Sequence, residues 1–242
     1  MGKMIVLISS KGGSGKSTVA IGLASAFSSE GKKVLLIDAD EGARCLDSML
    51  KADTDTLFDL RDVLSGTCEL QDAVLRVAGL DGVSVIPSPL SPEPINMAAL
   101  GELAELQKNN YDYVIIDLKG QLPAERLVLL PKTAQFISVV TTDKIALRNT
   151  GLLNTKLIEN GIVPRLILNR FKEKNTDKTI NNIDDMIDTC AAQLLGVIPE
   201  DHNINSLMGR IVVGKAALSI FKIASRLEGQ NTPLTEIKDL IK

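Results

Sequence analysis

Two lysines and three glycines lie close together in the stretch SSKGGSGKST, which runs from residue 9 to residue 18. Gly12, Gly13 and Gly15 permit positive-φ turns that point backbone N–H groups into one concave space. A lysine such as Lys16 adds a positive charge there, and a helix beginning near Gly15 adds the partial charge of its N-terminus. Donors and positive charge gathered in this way bind phosphate groups.

The full phosphate-loop pattern is G-x-x-x-x-G-K-[ST] between a strand and a helix. The sequence meets this pattern except at the first position, where Ser10 stands in place of glycine. In the chemistry of the motif, Lys16 neutralises the β- and γ-phosphate oxygens of a nucleoside triphosphate and Ser17 ligates Mg²⁺. The residues predicted to hold the phosphates are Gly12, Gly13, Ser14, Gly15, Lys16, Ser17 and Thr18.

Short apolar runs alternate with amphipathic stretches along the chain, and the phosphate loop follows the first run. The runs are continuously apolar, which is typical of parallel strands buried on both faces. The predicted strands are 4–9, 33–38, 83–88, 112–117, 135–142, 164–170 and 194–199. The predicted helices are 16–29, 57–65, 95–108, 143–160, 176–193, 214–227 and 234–241. This alternation predicts one α/β domain over residues 1–242, with a doubly wound, mostly parallel sheet.

Aspartates end two more of the predicted strands, and ligands of doubly wound sheets bind at the carboxyl ends of strands. Asp117 ends DYVIID and fits a carboxylate that holds Mg²⁺ through water. Asp38 ends KVLLID, and Asp40 follows it closely. These two residues suit phosphoryl transfer, although aspartates after a strand can also simply cap a turn.

Composition argues against several classes of protein. The 242 residues carry a net charge of -3, so the strongly basic footprint of a nucleic-acid-binding protein is missing and DNA is not an expected partner. The three cysteines, Cys45, Cys68 and Cys190, are dispersed, which is typical of reduced cytosolic thiols. No signal peptide is recognisable, and no apolar run approaches the roughly 20 residues of a membrane span. We therefore expect a cytoplasmic protein.

The segment KGGSGKS resembles the deviant phosphate loop, K-G-G-x-G-K-[ST], of the MinD/ParA ATPases. The resemblance implies ATP as the nucleotide, and it implies that Lys11 reaches across a dimer interface to the phosphates bound by a second chain. The dimer would form with ATP and separate after hydrolysis, which an activating protein partner would stimulate. Without the resemblance, Lys11 would be read as an ordinary solvated lysine.

The resemblance extends over about residues 3–234 and implies further site residues. The stretch after KVLLID is similar to the D-x-D-x-G-x-x-x-L-D segment of MinD proteins, in which Asp40 would position the attacking water and Asp38 would lie close to the metal. Lys11, Lys16 and Asp40 would then be the catalytic residues. LILNR and LLGVIPED are similar to segments beside the adenine, and the residues they contribute are Asn169, Arg170, Pro199, Glu200 and Asp201.

One segment departs from the family pattern. MinD proteins usually continue D-x-P-A-G after the strand aspartate, whereas this chain has Asp117-Leu118-Lys119-Gly120-Gln121. The proline is missing and a glycine comes one place early, which leaves the hydrolysis rate and the response to partners open. A slowly hydrolysing, ATP-binding adaptor is therefore an alternative to a fully active ATPase.

Weaker features bear on which branch of the MinD/ParA family the chain resembles most. The MinD branch, with placement of the cell-division site, is favoured, and similarity of residues 117–153 to CpaE/TadZ proteins keeps a role in pilus localisation open. A ParA-like partition role would need a basic patch that binds DNA. Five residues could form such a patch, although they could also belong to an ordinary solvated loop: Arg165, Arg170, Lys172, Lys174 and Lys178.

The final stretch, PLTEIKDLIK, predicts a short terminal helix over residues 234–242. Its apolar residues share one face, but its charges cancel and it has no aromatic residue, whereas membrane-surface helices are rich in Lys and Arg. A helix packed on the domain is favoured. A vestigial membrane-targeting segment, which would place the protein peripherally at the inner face of the cell membrane, remains the alternative.

Overall fold

A single sheet forms the centre of the protein. The computed structural model describes residues 1–52, 57–172, 182–201 and 214–234. The strands are β1 (Lys3–Ile8), β2 (Val34–Ala39), β3 (Leu75–Arg76), β4 (Val83–Ile86), β5 (Tyr113–Leu118), β6 (Gln135–Thr141), β7 (Arg165–Phe171) and β8 (Gln193–Pro199). Their order is β3-β4-β2-β5-β1-β6-β7-β8. Every neighbouring pair is parallel except β3 and β4, which are antiparallel.

Helices cover both faces of the sheet. They are α1 (Lys16–Ser29), α2 (Leu46–Leu50), α3 (Leu60–Ser65), α4 (Leu70–Ala73), α5 (Met97–Gln107), α6 (Ala124–Leu127), α7 (Lys144–Glu159), α8 (Ile183–Cys190) and α9 (Lys215–Leu227). Alternate residues of β1 belong to two different cores. Ile5 packs with residues of α1 and α9 on one face, and Val6 packs with residues of α5 and α6 on the other. Burial on both faces explains why the strands read as continuous apolar runs.

The doubly wound, mostly parallel sheet predicted from the sequence is confirmed. All seven predicted strands are present, with ends that differ by no more than two residues, while β3 and the short helices α2, α4 and α6 were not predicted. The prediction of a helix up to residue 193 was wrong, because Ala191 adopts a left-handed conformation that ends α8 at Cys190 and β8 begins at Gln193. The predicted terminal helix lies outside the described residues, apart from Leu234, which is not helical.

The strand order determines which loops meet. Strand β1 lies between β5 and β6, and β2 is the next strand beyond β5. The parallel strands end at one edge, so the loops that follow β1, β2, β5 and β6 lie side by side at a topological switch point. Within the described ranges, no helix is both long and apolar enough to cross a membrane.

Candidate functional site

The loop after β1 has the shape expected of an anion cradle. Gly13 and Gly15 adopt positive φ angles of 74° and 89°, which side chains rarely tolerate. Helix α1 begins at Lys16, directly after these turns, and Lys16 is buried with 6% of its surface exposed. A buried ammonium beside a helix N-terminus concentrates positive charge in the loop, which favours the binding of phosphate. The loop thus has the conformation that its motif predicts.

Asn169, at the carboxyl end of β7, holds the loop from the side. Its Nδ2 donates a 2.8 Å hydrogen bond to the carbonyl oxygen of Ser14. A Cβ atom added to Gly15 would lie 2.3 Å from the same nitrogen, and the positive φ at this position independently favours glycine. Arg170, the next residue, is exposed and has a positive φ of 54°. Asn169 therefore supports the phosphate loop directly, and the contact of Asn169 and Arg170 with a base remains a prediction.

Ser10, which replaces the first glycine of the motif, connects the loop to α7. Its hydroxyl donates to the carbonyl of Ala146 at 3.1 Å and lies 2.8 Å from the hydroxyl of Thr150. Thr150 is buried, so both groups obtain partners away from water. The exception to the motif thus corresponds to a specific hydrogen-bonded contact between the loop and a helix.

Lys11 is about half exposed, and its ammonium lies 3.7 Å from Oδ2 of Asp143. Asp143 is the N-cap of α7, where its Oδ1 accepts a hydrogen bond from the backbone N–H of Ala146 at 3.0 Å. The hydroxyl of Thr141 donates to the other oxygen at 2.6 Å. Lys11 thus has an ionic partner within its own chain, and its action on a second chain's nucleotide remains a prediction.

Asp117 is a buried carboxylate whose surroundings fit a cation. Neither of its oxygens accepts a hydrogen bond of ordinary geometry from the described part of the chain. Burial raises the pKa of Asp117 to about 7, while the charge of Lys16 and the nearby Ser17 hydroxyl act in the opposite direction. An unpaired buried carboxylate is costly unless a ligand compensates it. Asp117 and Ser17 are therefore the residues that would hold Mg²⁺.

Asp117 and Ser17 would supply only part of the coordination shell of such an ion. Over residues 1–52, 57–172, 182–201 and 214–234, no three His, Cys, Asp or Glu side chains converge to hold a metal by themselves. Mg²⁺ commonly uses one or two carboxylates and completes its shell with water and substrate phosphates. One buried carboxylate and one hydroxyl therefore fit the share of such a shell that a protein supplies.

Asp38 holds the loop that follows β2. Its Oδ1 accepts the N–H of Asp40 at 3.1 Å, and its Oδ2 accepts those of Cys45 and Leu46 at 2.8 and 2.9 Å. Burial raises the pKa of Asp38 to about 6, although these three hydrogen bonds oppose the increase. The turn-capping role is thus present, and a place for Asp38 near the metal remains a prediction.

Asp40 is partly buried in the same loop. Burial raises its pKa, whereas the positive charges of Lys16 and Lys119 lower it. Lys119 also donates a 3.3 Å hydrogen bond to the carbonyl oxygen of Glu41. Asp40 is thus near the buried lysine of the phosphate loop, as a residue that positions water would need to be, although that role remains a prediction.

The loop after β8 carries the other residues predicted near adenine. Pro199 ends the strand, and the N–H of Glu200 donates to the carbonyl of Phe171 at 3.0 Å. Glu200 also forms an ion pair with Lys172. Asp201 faces the first turn of α9, where its Oδ2 lies 3.5 Å from the N–H of Ala216. The contact of Pro199, Glu200 and Asp201 with a base remains a prediction.

The structure describes three of the five basic residues that were considered as a DNA-binding patch. Lys172 is paired with Glu200, and Arg165 is partly buried, with its Nε unexposed. Lys174 and Lys178 lie outside the described residues. Arg170 is exposed, and the basic patch that a partition role would need remains a prediction.

Three residues of the site were not predicted from the sequence: Asp143, Thr150 and Lys119. Asp143 could have been found, because an aspartate directly before a periodic helix is an N-cap signal. Lys119 was recognisable only as a departure from a motif. Thr150 had no signal, since nothing local indicates that a mid-helix hydroxyl faces Ser10.

The amino-acid sequence is similar to those of known nucleotide-binding proteins. Residues 5–211 match the CobQ/CobB/MinD/ParA nucleotide binding domain. The septum site-determining protein MinD of Synechocystis sp. is 32% identical over an alignment of 250 positions, which covers 98% of this chain and 93% of the relative.

Two solved structures show the same similarity in three dimensions. The MinC:MinD cell division protein complex of Aquifex aeolicus has a TM-score of 0.83 and 27% identity, covering 97% of this chain and 99% of that chain. MinD complexed with Mg-ADP from Pyrococcus horikoshii OT3 has a TM-score of 0.78 and 27% identity, covering 94% and 96% of the two chains. The matched family, the full-length similarity and the phosphate loop with its two lysines together show that this chain belongs to the MinD/ParA family of nucleotide-binding P-loop ATPases.

Proposed function

We propose that this protein is a MinD-like ATPase that binds Mg-ATP, forms a dimer around two nucleotides and acts as a spatial switch, with placement of the cell-division site as its process. The observation that carries the proposal is the contrast between the two lysines of the loop. Lys16 is buried at the start of α1, whereas Lys11 is half exposed and pointed at a solvent-accessible carboxylate. One lysine serves the chain's own nucleotide, and the other remains available to a second chain.

The residues of the site divide the work of phosphoryl transfer, which consists mainly of positioning and electrostatic stabilisation. The loop amides and Lys16 bind the β- and γ-phosphates, and Asp117 with Ser17 would hold the Mg²⁺. The bound ion would neutralise charge that develops on the phosphate oxygens. Asp40 orients the attacking water.

The relatives support the process and the partners. The Synechocystis protein is named for septum-site determination, and the Aquifex structure contains MinC with MinD. An ATP-dependent second copy of the chain and an activating protein are accordingly the partners we propose, in the cytoplasm or peripherally at the inner face of the cell membrane. The Pyrococcus structure contains Mg-ADP, which supports the proposed ligand.

The test compares molecular mass in solution and nucleotide affinity for wild type, Lys11→Ala and Lys16→Ala. We expect wild type to be a dimer with a slowly hydrolysed ATP analogue and a monomer with ADP. Lys16→Ala should lose nucleotide affinity, whereas Lys11→Ala should bind nucleotide and stay monomeric. Lys156→Ala is the matched control, because Lys156 is exposed on α7 and its ammonium lies 3.9 Å from Glu125, away from the loop.

A wild-type chain that binds the analogue and still remains monomeric would contradict the dimer. The altered segment after Asp117 supports a second candidate, a slowly hydrolysing adaptor. Steady-state hydrolysis separates the two candidates when it is measured alone and with liposomes, DNA or partner proteins. A rate that none of these additions increases would favour the adaptor.

A further inference from the structure

The segment that departs from the family pattern packs directly against the phosphate loop. A Cβ atom added to Gly120 would lie 3.3 Å from both the Cα and the N of Gly12. The N–H of Gln121 donates to the carbonyl of Ser9 at 2.8 Å. A backbone approach this close couples the two loops mechanically, because packed atoms cannot move past each other freely. Movement of Gly12 on phosphate binding would therefore reach residues 119–121.

The same segment holds the loop that carries Asp40. The ammonium of Lys119 donates to the carbonyl of Glu41 at 3.3 Å. The carboxylate of Glu41, which is only 4% exposed, lies 3.4 Å from Nη1 of Arg126. Arg126 also donates to the carbonyl of Ile95 at 2.8 Å, so its position is fixed independently of the phosphate loop. Lys119 differs from Arg126 because the two residues that follow it, Gly120 and Gln121, both contact the phosphate loop.

We propose that Lys119 is a positioning residue for hydrolysis, which ties the Asp40–Glu41 segment to the phosphate loop and places Asp40 for the attacking water. Proline, which MinD proteins usually have near this position, has no side-chain donor and could not make this link. A lysine can make it, because a long stem carries three donors across to a neighbouring loop. The inference deepens the proposed function and rests on it, since it concerns the water of that same reaction.

Steady-state kinetics provide the first test, with three variants. Lys119→Met keeps the stem and removes the donor, Lys119→Arg restores a donor, and Lys156→Met removes a positive charge elsewhere. We expect Lys119→Met to lower kcat for ATP about 3- to 10-fold, because a lost positioning contact acts on the chemical step. KM and the dissociation constant for ADP should change less than about twofold, since the phosphate loop itself is intact. Lys119→Arg should recover most of kcat, and Lys156→Met should match wild type.

Hydrogen exchange provides a second test that does not depend on hydrolysis. The amides of Cys45 and Leu46 donate to Asp38 and report on the order of the loop after β2. In wild type we expect added Mg-ADP to slow exchange over residues 40–46. In Lys119→Met this response should be lost, while the phosphate loop is still protected by the nucleotide.

These experiments distinguish failure of the role proposed for Lys119 from failure of the proposed function. An unchanged kcat in Lys119→Met, or an equal loss in Lys119→Arg, would overturn the positioning role in a chain that hydrolyses ATP. Retained protection of residues 40–46 in Lys119→Met would overturn it whether or not hydrolysis is detected. Absence of hydrolysis in wild type under every condition would instead contradict the proposed function. Hydrogen exchange over residues 40–46 would then be the measurement that tests the role of Lys119.

Discussion

The ammonium of Lys11 lies 3.7 Å from the carboxylate of Asp143, across the junction between the loop after β1 and the start of α7. Both side chains are about half exposed, at 55% and 43%. The pair is therefore weak, since exposed ion pairs contribute about 0–1 kcal/mol. A weak internal partner suits the role we propose for Lys11, in which its ammonium leaves Asp143 and contacts the nucleotide of a second chain.

Replacing Asp143 with Asn tests this relationship. Asn can still cap α7 through its side-chain oxygen, but it no longer attracts the ammonium of Lys11. We expect Asp143→Asn to tighten ATP-dependent dimerisation by no more than about fivefold, which corresponds to about 1 kcal/mol. Sedimentation at several protein concentrations with a slowly hydrolysed analogue measures the change. Glu125→Gln, which removes a more distant exposed pair, is the control, and a weaker dimer in Asp143→Asn would contradict the interpretation.

Two glycines of the phosphate loop should respond differently to alanine. Gly15→Ala places a methyl group 2.3 Å from Asn169 and requires a positive φ, so it should lower the free energy of unfolding by about 1–3 kcal/mol. A Cβ on Gly12 meets nothing within 4 Å, and Gly12→Ala should change that free energy by less than about 0.5 kcal/mol. Urea unfolding without nucleotide measures both. Equal losses in the two variants would show that the contact with Asn169 is unimportant.

Ser10→Gly restores the ordinary motif and should nevertheless destabilise the protein. The variant loses the hydrogen bonds to Ala146 and Thr150, and we expect the free energy of unfolding to fall by about 1–3 kcal/mol. A double-mutant cycle with Thr150→Val isolates the contact between the two hydroxyls. Additive effects of the two changes would mean that this contact carries no stability of its own.

The thiols of Cys190 and Cys68 should differ in reactivity. Cys190 is fully buried, and burial raises the pKa of its thiol to about 12, so almost no reactive thiolate is accessible. We expect iodoacetamide to leave Cys190 unmodified in the folded protein, while the partly exposed Cys68 is alkylated. Peptide mass spectrometry before and after unfolding in urea checks this. Modification of Cys190 at the rate of Cys68 would contradict the burial described for α8.

Much of the fold could be predicted because its signals are local. The buried strands are continuous apolar runs, and Gly13, Gly15 and Lys16 lie within one short stretch whose conformation is largely its own. The two-residue strand β3 and the four-residue helix α4 are too short for a periodic pattern. The end of α8 was missed because the left-handed residue there is Ala191 and not glycine.

The contacts within the site could not be predicted for a different reason. Ser10 meets Thr150, Lys11 meets Asp143, and Lys119 meets Glu41, and each pair lies far apart along the chain. Such pairs depend on the strand order, which places the loops after β1, β2, β5 and β6 side by side. A family resemblance supplies roles for individual residues, but it does not show which of them touch in a chain that departs from the motif.

The three backbone amides that Asp38 binds have a consequence for how members of this family are compared. Any chain that builds the same turn after β2 needs an acceptor at position 38, whether or not it hydrolyses nucleotide. A member that had lost its catalytic activity would therefore keep this aspartate for the sake of folding. When sequences are surveyed for active enzymes, the residue at position 38 reports an intact turn. The residue at position 40, which we propose positions the attacking water, is the more informative one.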